Sequence, residues 1–172
     1  NWVAKKNKAH EISRIVLSLT TIYKNAFNKG NPIISCKAAV KSCKSYLEIQ
    51  NIRYHGKLTY RIETVPELDD CLILNLLLQT LVENAVVHGF ENMNKEGSII
   101  IKNEYLEDED AILFTVADNG IGMSQKKLDL QKKLLQSEKV VSNSGLTNVQ
   151  RRIKLYYGSQ YGITIESQLH KG

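Results

Sequence analysis

Apolar side chains near the start of the chain fall at Ile12, Ile15, Val16, Leu19, Ile22, Tyr23 and Phe27, the three-and-four spacing that gathers them into one helical seam. The pattern predicts a helix over 3–28, stopped by Asn28-Lys29-Gly30-Asn31-Pro32, where Gly and Pro break it. A second helix is predicted over 35–54, carrying Ala39, Val40, Cys43, Tyr46, Leu47, Ile49 and Ile52. His55-Gly56-Lys57 turns into Leu58–Val65, whose alternation predicts a strand with one buried face. Pro66 and Asp69-Asp70 then lead into Leu72–Gly89 (LILNLLLQTLVENAVVHG), which is rich in Leu and Val and has the length of one helix.

That stretch has a second pattern. Asn75, Gln79 and Glu83 recur every fourth residue, as do Thr80, Asn84 and His88, so the two rows form one polar flank on an apolar helix. A helix this apolar is mostly buried, and its polar flank then lines a cleft. Glu83, Asn84 and His88 offer a carboxylate, an amide oxygen and an imidazole, suited to a hydrated hard cation and a phosphate chain. A buried helix with a few satisfied polar residues fits the same stretch. Beyond it, 91–97 reads as a polar loop, and 98–106 with 111–117 as a hairpin around the acidic tip Glu107-Asp108-Glu109-Asp110. About twenty polar residues rich in Lys, Gln and Ser follow position 123, then a helix over 146–157 closed by Tyr157-Gly158, then a last strand over 163–169. Strands that follow one another directly favour an α+β fold with a mainly antiparallel sheet.

Composition narrows this picture only a little. A chain of 172 residues holds one sizeable core, since domains run to roughly 100–200 residues. The net charge of +5 is a weak hint of acidic partners, but Lys and Arg are scattered with no aromatic-interleaved basic stripe, which argues against nucleic acid. Cys36, Cys43 and Cys71 form no C-x-x-C pair and are odd in number, pointing to a reducing compartment and no zinc site. Cys36 and Cys43 share a helical face as small packing residues. No apolar run approaches the roughly 20 residues that cross a bilayer, and no signal peptide is visible. The chain opens inside a helical pattern without Met and stops on Lys171-Gly172, so it reads as part of something longer.

Two further segments carry candidate chemistry. Asp118-Asn119-Gly120-Ile121-Gly122 sits at the end of a strand, where an Asp can accept from an exocyclic amine and the glycines let backbone approach a flat ring. A tight turn with an Asp cap accounts for it equally well. Ser144-Gly145-Leu146-Thr147-Asn148-Val149 places Gly at a helix entry, where open N–H groups and the helix dipole favour an anion.

Together, Asn84 with His88, DNGIGM at 118–123 and SGLTNVQRRIKLYYG at 144–158 resemble the N, G1 and G2 boxes of the GHKL ATP-binding superfamily (gyrase, the 90-kilodalton heat-shock chaperones, histidine kinases and MutL proteins). The closer resemblance is to LytS-like sensor histidine kinases, through LLLQ-x-LVENA-x-x-HG, the G2 box and YLEIQNIRY at 46–54, over nearly the whole chain. This implies a two-layer α/β sandwich, a mixed, mainly antiparallel sheet under helices. Residues 31–172 would be the ATP-binding domain, without its last strand, and 1–30 the second helix of a dimerisation hairpin. Asn84 would hold Mg²⁺ on the ATP phosphates and Asp118 the adenine amine, with Gly120, Gly122 and Met123 in that pocket. Amides of Gly145 and Leu146 would meet phosphates, His88 would reach them from the helix, and Glu83 would polarise the attacking histidine or a water. Residues 124–143 would be the lid, with Lys132, Lys133 and Lys139 as solvated or phosphate-reaching side chains. Arg151 and Arg152 fit helix-surface charges.

The sequence departs from the family at Asn143, where a Gly is usual, at Val87, where many members have Lys, and at Thr80, often Pro. Of the four histidines, His88 belongs to the site and His55 and His170 look like bystanders. His10-Glu11-Ile12 resembles the start of a phosphoacceptor box, but no Arg-Thr-Pro follows, and the N-P-H-F motif of this class is absent. The resemblance therefore implies a phosphoacceptor upstream. It implies a homodimer in the full-length protein, a response regulator as partner, and the cytoplasmic portion of a membrane-anchored bacterial sensor whose membrane contact lies in other regions. A nucleotide-sensing module without kinase activity and a GHKL ATPase or serine kinase are the other readings.

Overall fold

Ser35 ends the first strand and begins the second helix: its hydroxyl accepts from the Ala38 N–H at 3.2 Å, satisfying one amide that a helix start leaves open. The computed structural model describes residues 2–27, 30–90, 96–137 and 144–172. Helix α1 (Trp2–Phe27) is followed by β1 (Ile33–Ser35), α2 (Cys36–Arg53) and β2 (Leu58–Glu63). Then come β3 (Leu72–Leu74), α3 (Leu77–Asn84), β4 (Gly97–Leu106), β5 (Ala111–Asp118), α4 (Gln125–Gln136) and α5 (Gly145–Tyr157).

The main sheet has the order β2-β4-β5. β2 runs parallel to β4, from Leu58↔Gly97 to Glu63↔Lys102, and β4 runs antiparallel to β5, from Ile99↔Asp118 to Leu106↔Ala111. The hairpin tip holds Asp110 in a left-handed conformation, and the Tyr105 hydroxyl donates to its carboxylate at 2.7 Å. Cys43 and Leu47 of α2, Leu78 and Val82 of α3, Val86 after it and Leu58, Ile99 and Ile101 of the sheet fill one core, so helices lie over the sheet in two layers. The α+β class with a mixed sheet is therefore the observed architecture.

Three elements differ from the sequence expectation. Leu72–Gly89 is not one helix. Its first three residues form β3, paired antiparallel with β1 through Ile34↔Ile73, both buried. Asn75 and Leu76 turn the chain, Leu76 with φ 66°, and only then does α3 begin; Ala85–Gly89 continue it as a π-helical turn. A short apolar run fits a buried strand as well as a helix, and the partner strand decides. Second, the polar run after position 123 contains α4, whose Leu128 and Leu135 are buried on one face; Lys139 and Asn143 lie outside the described residues. Third, 163–169 alternates half-buried and exposed residues as a strand would, yet makes no ladder among the described residues. Its ends go elsewhere: Ile163 N–H donates to Gln150 Oε1 at 2.6 Å, and His170 N–H to the Ile121 carbonyl at 2.8 Å. Alternation specifies faces, not a partner.

α1 meets α2 through polar contacts. The Ser18 hydroxyl donates to Glu48 at 3.2 Å, and the Asn25 amide donates to the Ala38 carbonyl and the Ser42 hydroxyl. Its apolar seam faces outward: Ile12, Val16, Leu19, Tyr23 and Phe27 are exposed, while Ile15 and Ile22 are half-buried. Buried Asn75 ties this helix to the domain, donating to the Asn25 and Ala26 carbonyls at 2.8 and 3.2 Å. These are carbonyls that a helix end leaves open. Asn75→Ala is expected to lower stability by about 1–3 kcal/mol, the cost of stranding such groups. Leu72→Ala, on the exposed side of β3, should stay within about 0.5 kcal/mol. Urea unfolding of the two variants checks both.

Candidate functional site

Burial of Leu78, Val82, Ala85 and Val86 sets the roll of α3 and its π-helical extension about the core. Asn84 is thereby left half-buried and Val87 and His88 exposed. The Asn84 side chain has no hydrogen-bond partner among the described residues.

The loop after β5 is built onto the end of this helix. The Ile121 N–H donates to the Gly89 carbonyl at 2.9 Å, satisfying an orphan of the helix end. Asn119 fixes the neighbouring strand end: its Oδ1 accepts from the Ser98 N–H at 2.7 Å and its amide donates to the Glu96 carbonyl at 3.3 Å. Gly120 N–H donates to Asp118 Oδ1 at 2.8 Å. A Cβ on Gly120 would stand 2.4 Å from the Gly89 carbonyl oxygen, and one on Gly89 would stand 2.7 Å from Asp118 Oδ1. Gly122 has φ 62°, and a Cβ there would stand 2.1 Å from the Gln168 carbonyl oxygen. Backbone contact at Gly120 and Gly122, and the Asp118 carboxylate at Gly89, leave no room for a side chain. The Asp118 carboxyl is pushed above the ordinary carboxylate range by burial, with the Gly120 N–H opposing the shift.

The third segment arrives at the same helix. Ser144 caps α5, accepting from the Thr147 N–H at 3.3 Å, and Leu146, Val149 and Ile153 are buried. A Cβ on Gly145 would be 3.0 Å from Thr80 Cγ2, so the start of α5 rests on α3 one turn before Asn84. At its far end the Tyr157 hydroxyl accepts from the Leu74 N–H at 3.0 Å.

Asn84, His88, Asp118, Gly120, Gly122, Gly145 and Leu146 thus lie on three segments joined along α3 and its end. The Leu146 side chain is buried, leaving its backbone for any ligand. Met123 is half-buried and its N–H donates to the Ser167 hydroxyl at 2.9 Å. Glu83 accepts from the Gln79 amide at 2.8 Å, and its charge adds to burial in raising the Cys43 thiol and Tyr46 phenol, which places it towards α2. Asn75 leaves the polar flank altogether to hold α1. Lys132 and Lys133 are exposed on α4, Arg151 is exposed and Arg152 half-buried on α5. Sequence reading missed Gly89 and Ser167. A Gly after His88 reads as a helix stop, and Ser167 gives no local signal.

The family described as Histidine kinase-, DNA gyrase B-, and HSP90-like ATPase matches residues 69–172, more than half of the chain. The chain belongs to this ATPase family. Within it, the sensor histidine kinase YesM of Bacillus subtilis (strain 168) is 30% identical over 172 residues, which is 100% of this chain and 28% of YesM. Sensor histidine kinase YpdA of Escherichia coli (strain K12) is 33% identical over 130 residues, 76% of this chain and 22% of YpdA. Sensor protein LytS of Bacillus cereus is 26% identical over 160 residues, 92% of this chain and 27% of that protein. The chain therefore spans about a quarter of the length of these curated relatives. Membership of the ATPase family implies that ATP is its ligand. Among the described residues no helix is long and apolar enough to cross a membrane.

Two outcomes follow for the ATPase domain without ligand. Gly120→Ala should separate the loop from the helix end, seen as faster amide exchange at Ile121. Asp118→Asn should stabilise the fold at neutral pH. A carboxyl raised in the folded state favours folding below its unfolded pKa, and that gain is lost as pH rises through the folded pKa. The difference between variant and parent in urea unfolding should therefore shrink as the pH falls into the carboxylate range.

Proposed function

We propose that this chain is the ATP-binding catalytic part of a bacterial two-component sensor histidine kinase. The terminal phosphoryl of ATP passes to a histidine outside the chain and then to an aspartate of a response regulator. The observation that carries this reading is the convergence of three ATP-family segments on α3, with sensor kinases as relatives along the whole chain.

The residues suit the ligand. The desolvated Asp118 carboxylate has one oxygen held by Gly120, leaving the other for the adenine amine, and Gly89, Gly120 and Gly122 keep the neighbouring space free of side chains. Met123 belongs to the same loop. Asn84, with an unengaged amide oxygen half-buried beside the phosphate end, is the ligand for Mg²⁺. Among the described residues no cluster of three or more His, Cys, Asp or Glu forms a metal cage. Mg²⁺ is usually held by few protein ligands together with substrate phosphates, so a single amide oxygen from the chain suits it. When bound there, the metal would neutralise phosphate charge. Gly145 and Leu146 amides and His88 meet the phosphates, α4 supplies the described part of the lid expected over 124–143, with 138–143 outside the described residues, and Glu83 polarises the attacking histidine.

The exposed seam of α1 supports reading it as the second helix of a dimerisation hairpin, with 31–172 as the ATP domain. The full-length protein is then a homodimer, attached to a membrane through other regions, with this part in the cytoplasm.

Calorimetric titration with a non-hydrolysable ATP analogue tests the site. Binding should strengthen with Mg²⁺, and Asn84→Ala should abolish that strengthening while unfolding normally in urea; unchanged Mg²⁺ dependence would remove Asn84 as ligand. Affinity should fall at low pH, starting at less acidic pH than for an ordinary aspartate, because the ionised Asp118 accepts the amine and its carboxyl is raised. In a chain extended upstream to the phosphoacceptor, Glu83→Gln should slow phosphorylation by about 10²-fold or more with ATP affinity kept. A variant that loses stability instead would make Glu83 structural.

A further inference from the structure

The β1–β3 arm brings two thiols to opposite positions. Its register pairs Ile34 with Ile73 and Ser35 with Leu72, and one step further pairs Cys36 with Cys71. The Cys36 N–H donates to the Cys71 carbonyl at 2.8 Å, as Asn75 N–H does to Pro32 at the other end, so both continue the hydrogen-bonded positions of the ladder through one bond each, the Cys71 N–H donating instead to the Leu68 carbonyl at 3.1 Å. Such partners hold their Cα atoms about 5.5 Å apart. Disulfides span Cα distances of about 4.4–6.8 Å. Side chains alternate along a strand, so Cys36 and Cys71 lie on the face of buried Ile34 and Ile73; Cys36 is 1% exposed, and Cys71 packs half-buried against the same core.

We propose that Cys36 and Cys71 are a reversible disulfide site, closed by small-molecule disulfides, that fastens the start of α2 to the approach to α3. This holds whatever α3 binds. Half-buried Cys71 meets the oxidant first. Its sulfur attacks the small disulfide, a mixed disulfide forms, and one small thiolate leaves and takes the proton from Cys71. The Cys36 sulfur then attacks the Cys71 sulfur, the intramolecular S–S bond forms, and the second small thiolate leaves with the Cys36 proton. Two protein thiols lose two electrons and the oxidant becomes two thiols. Burial, with Cys71 and Asp69 beside it, pushes the Cys36 thiol up to about 11, which makes Cys71 the first of the two to react. Cys43 is two helical turns from Cys36 along α2 and buried, out of disulfide reach of it.

The test exposes the folded chain to oxidised glutathione, blocks unreacted thiols under denaturing conditions and digests without reductant. The expected result is a fall from three free thiols to one, with a linked peptide pair containing Cys36 and Cys71 and reopening by a dithiol reductant. Cys43→Ser should go from two free thiols to none, and Cys71→Ser should keep both of its own. Three persisting thiols, glutathione retained on Cys71, a bond involving Cys43, or disulfide-linked dimers on a non-reducing gel would each overturn the proposal. Should either variant fail to fold, the peptide map of the parent chain decides alone.

Discussion

One backbone contact organises the site: the Gly89 carbonyl accepts from the Ile121 N–H while Gly120 lies against Gly89. A helix end leaves carbonyls without partners, and a loop after a strand leaves amides without partners. Joining the two satisfies both without any side chain between them. The joint works only if neither surface carries a Cβ, which is why glycine stands on each side. The π-helical turn at Ala85–Gly89, at the end of a helix otherwise anchored by Val82 and Val86, belongs to the same device; such turns recur at functional sites. Because the helix is held by the core and the loop by the helix, the placement of Asp118 relative to Asn84 follows from the packing of Val82 and Val86 and the contact at Gly89 and Gly120.

That placement has an energetic consequence. Among the described residues half-buried Asp118 has no ion pair, and the Gly120 N–H offers its carboxylate partial compensation. A carboxylate in such surroundings is costly to the empty fold and receptive to a donor that arrives with a ligand. Stability and binding are thus opposed at one atom, as expected where a site is prepared before its ligand is present.

The N-terminal helix shows the converse arrangement. Its domain-facing side is stitched by Ser18, Asn25 and the Asn75 cap, while Ile12, Val16, Leu19, Tyr23 and Phe27 are left in solvent. Hydrogen bonds give that contact direction and register, while of the apolar seam only Ile15 and Ile22 are half-buried and the other residues stay exposed. Asn75 has a double position, holding the end of α1 and preceding the turn into α3 with Leu76 at positive φ. The same short arm carries the Cys36–Cys71 pair, so helix cap, thiol pair and site helix are mechanically continuous.

Much of this was legible in the amino-acid order. The seam of α1, the bounds of α2 and α5, the β4–β5 hairpin and the acidic tip follow from local periodicity and breakers, which act over a few residues. Asn84, Asp118, Gly120 and Gly145 were recognisable because spacing along the chain carries the family's motifs. What the order alone left open was partner choice. Leu72-Ile73-Leu74 is strand only because Ile33-Ile34-Ser35 lies alongside, and Asn75 caps α1 rather than lining the cleft because that turn displaces it from the helix. Leu128 and Leu135 make α4 within a run whose lysines and glutamines read as loop. Ile163–Leu169 has a strand's alternation but is held by Gln150 and Ile121 instead of a ladder. Local pattern sets which face of a segment is apolar; which neighbour covers that face, and how closely two backbones approach at Gly89 and Gly120, depends on contacts distant in sequence and exists only once the chain has folded.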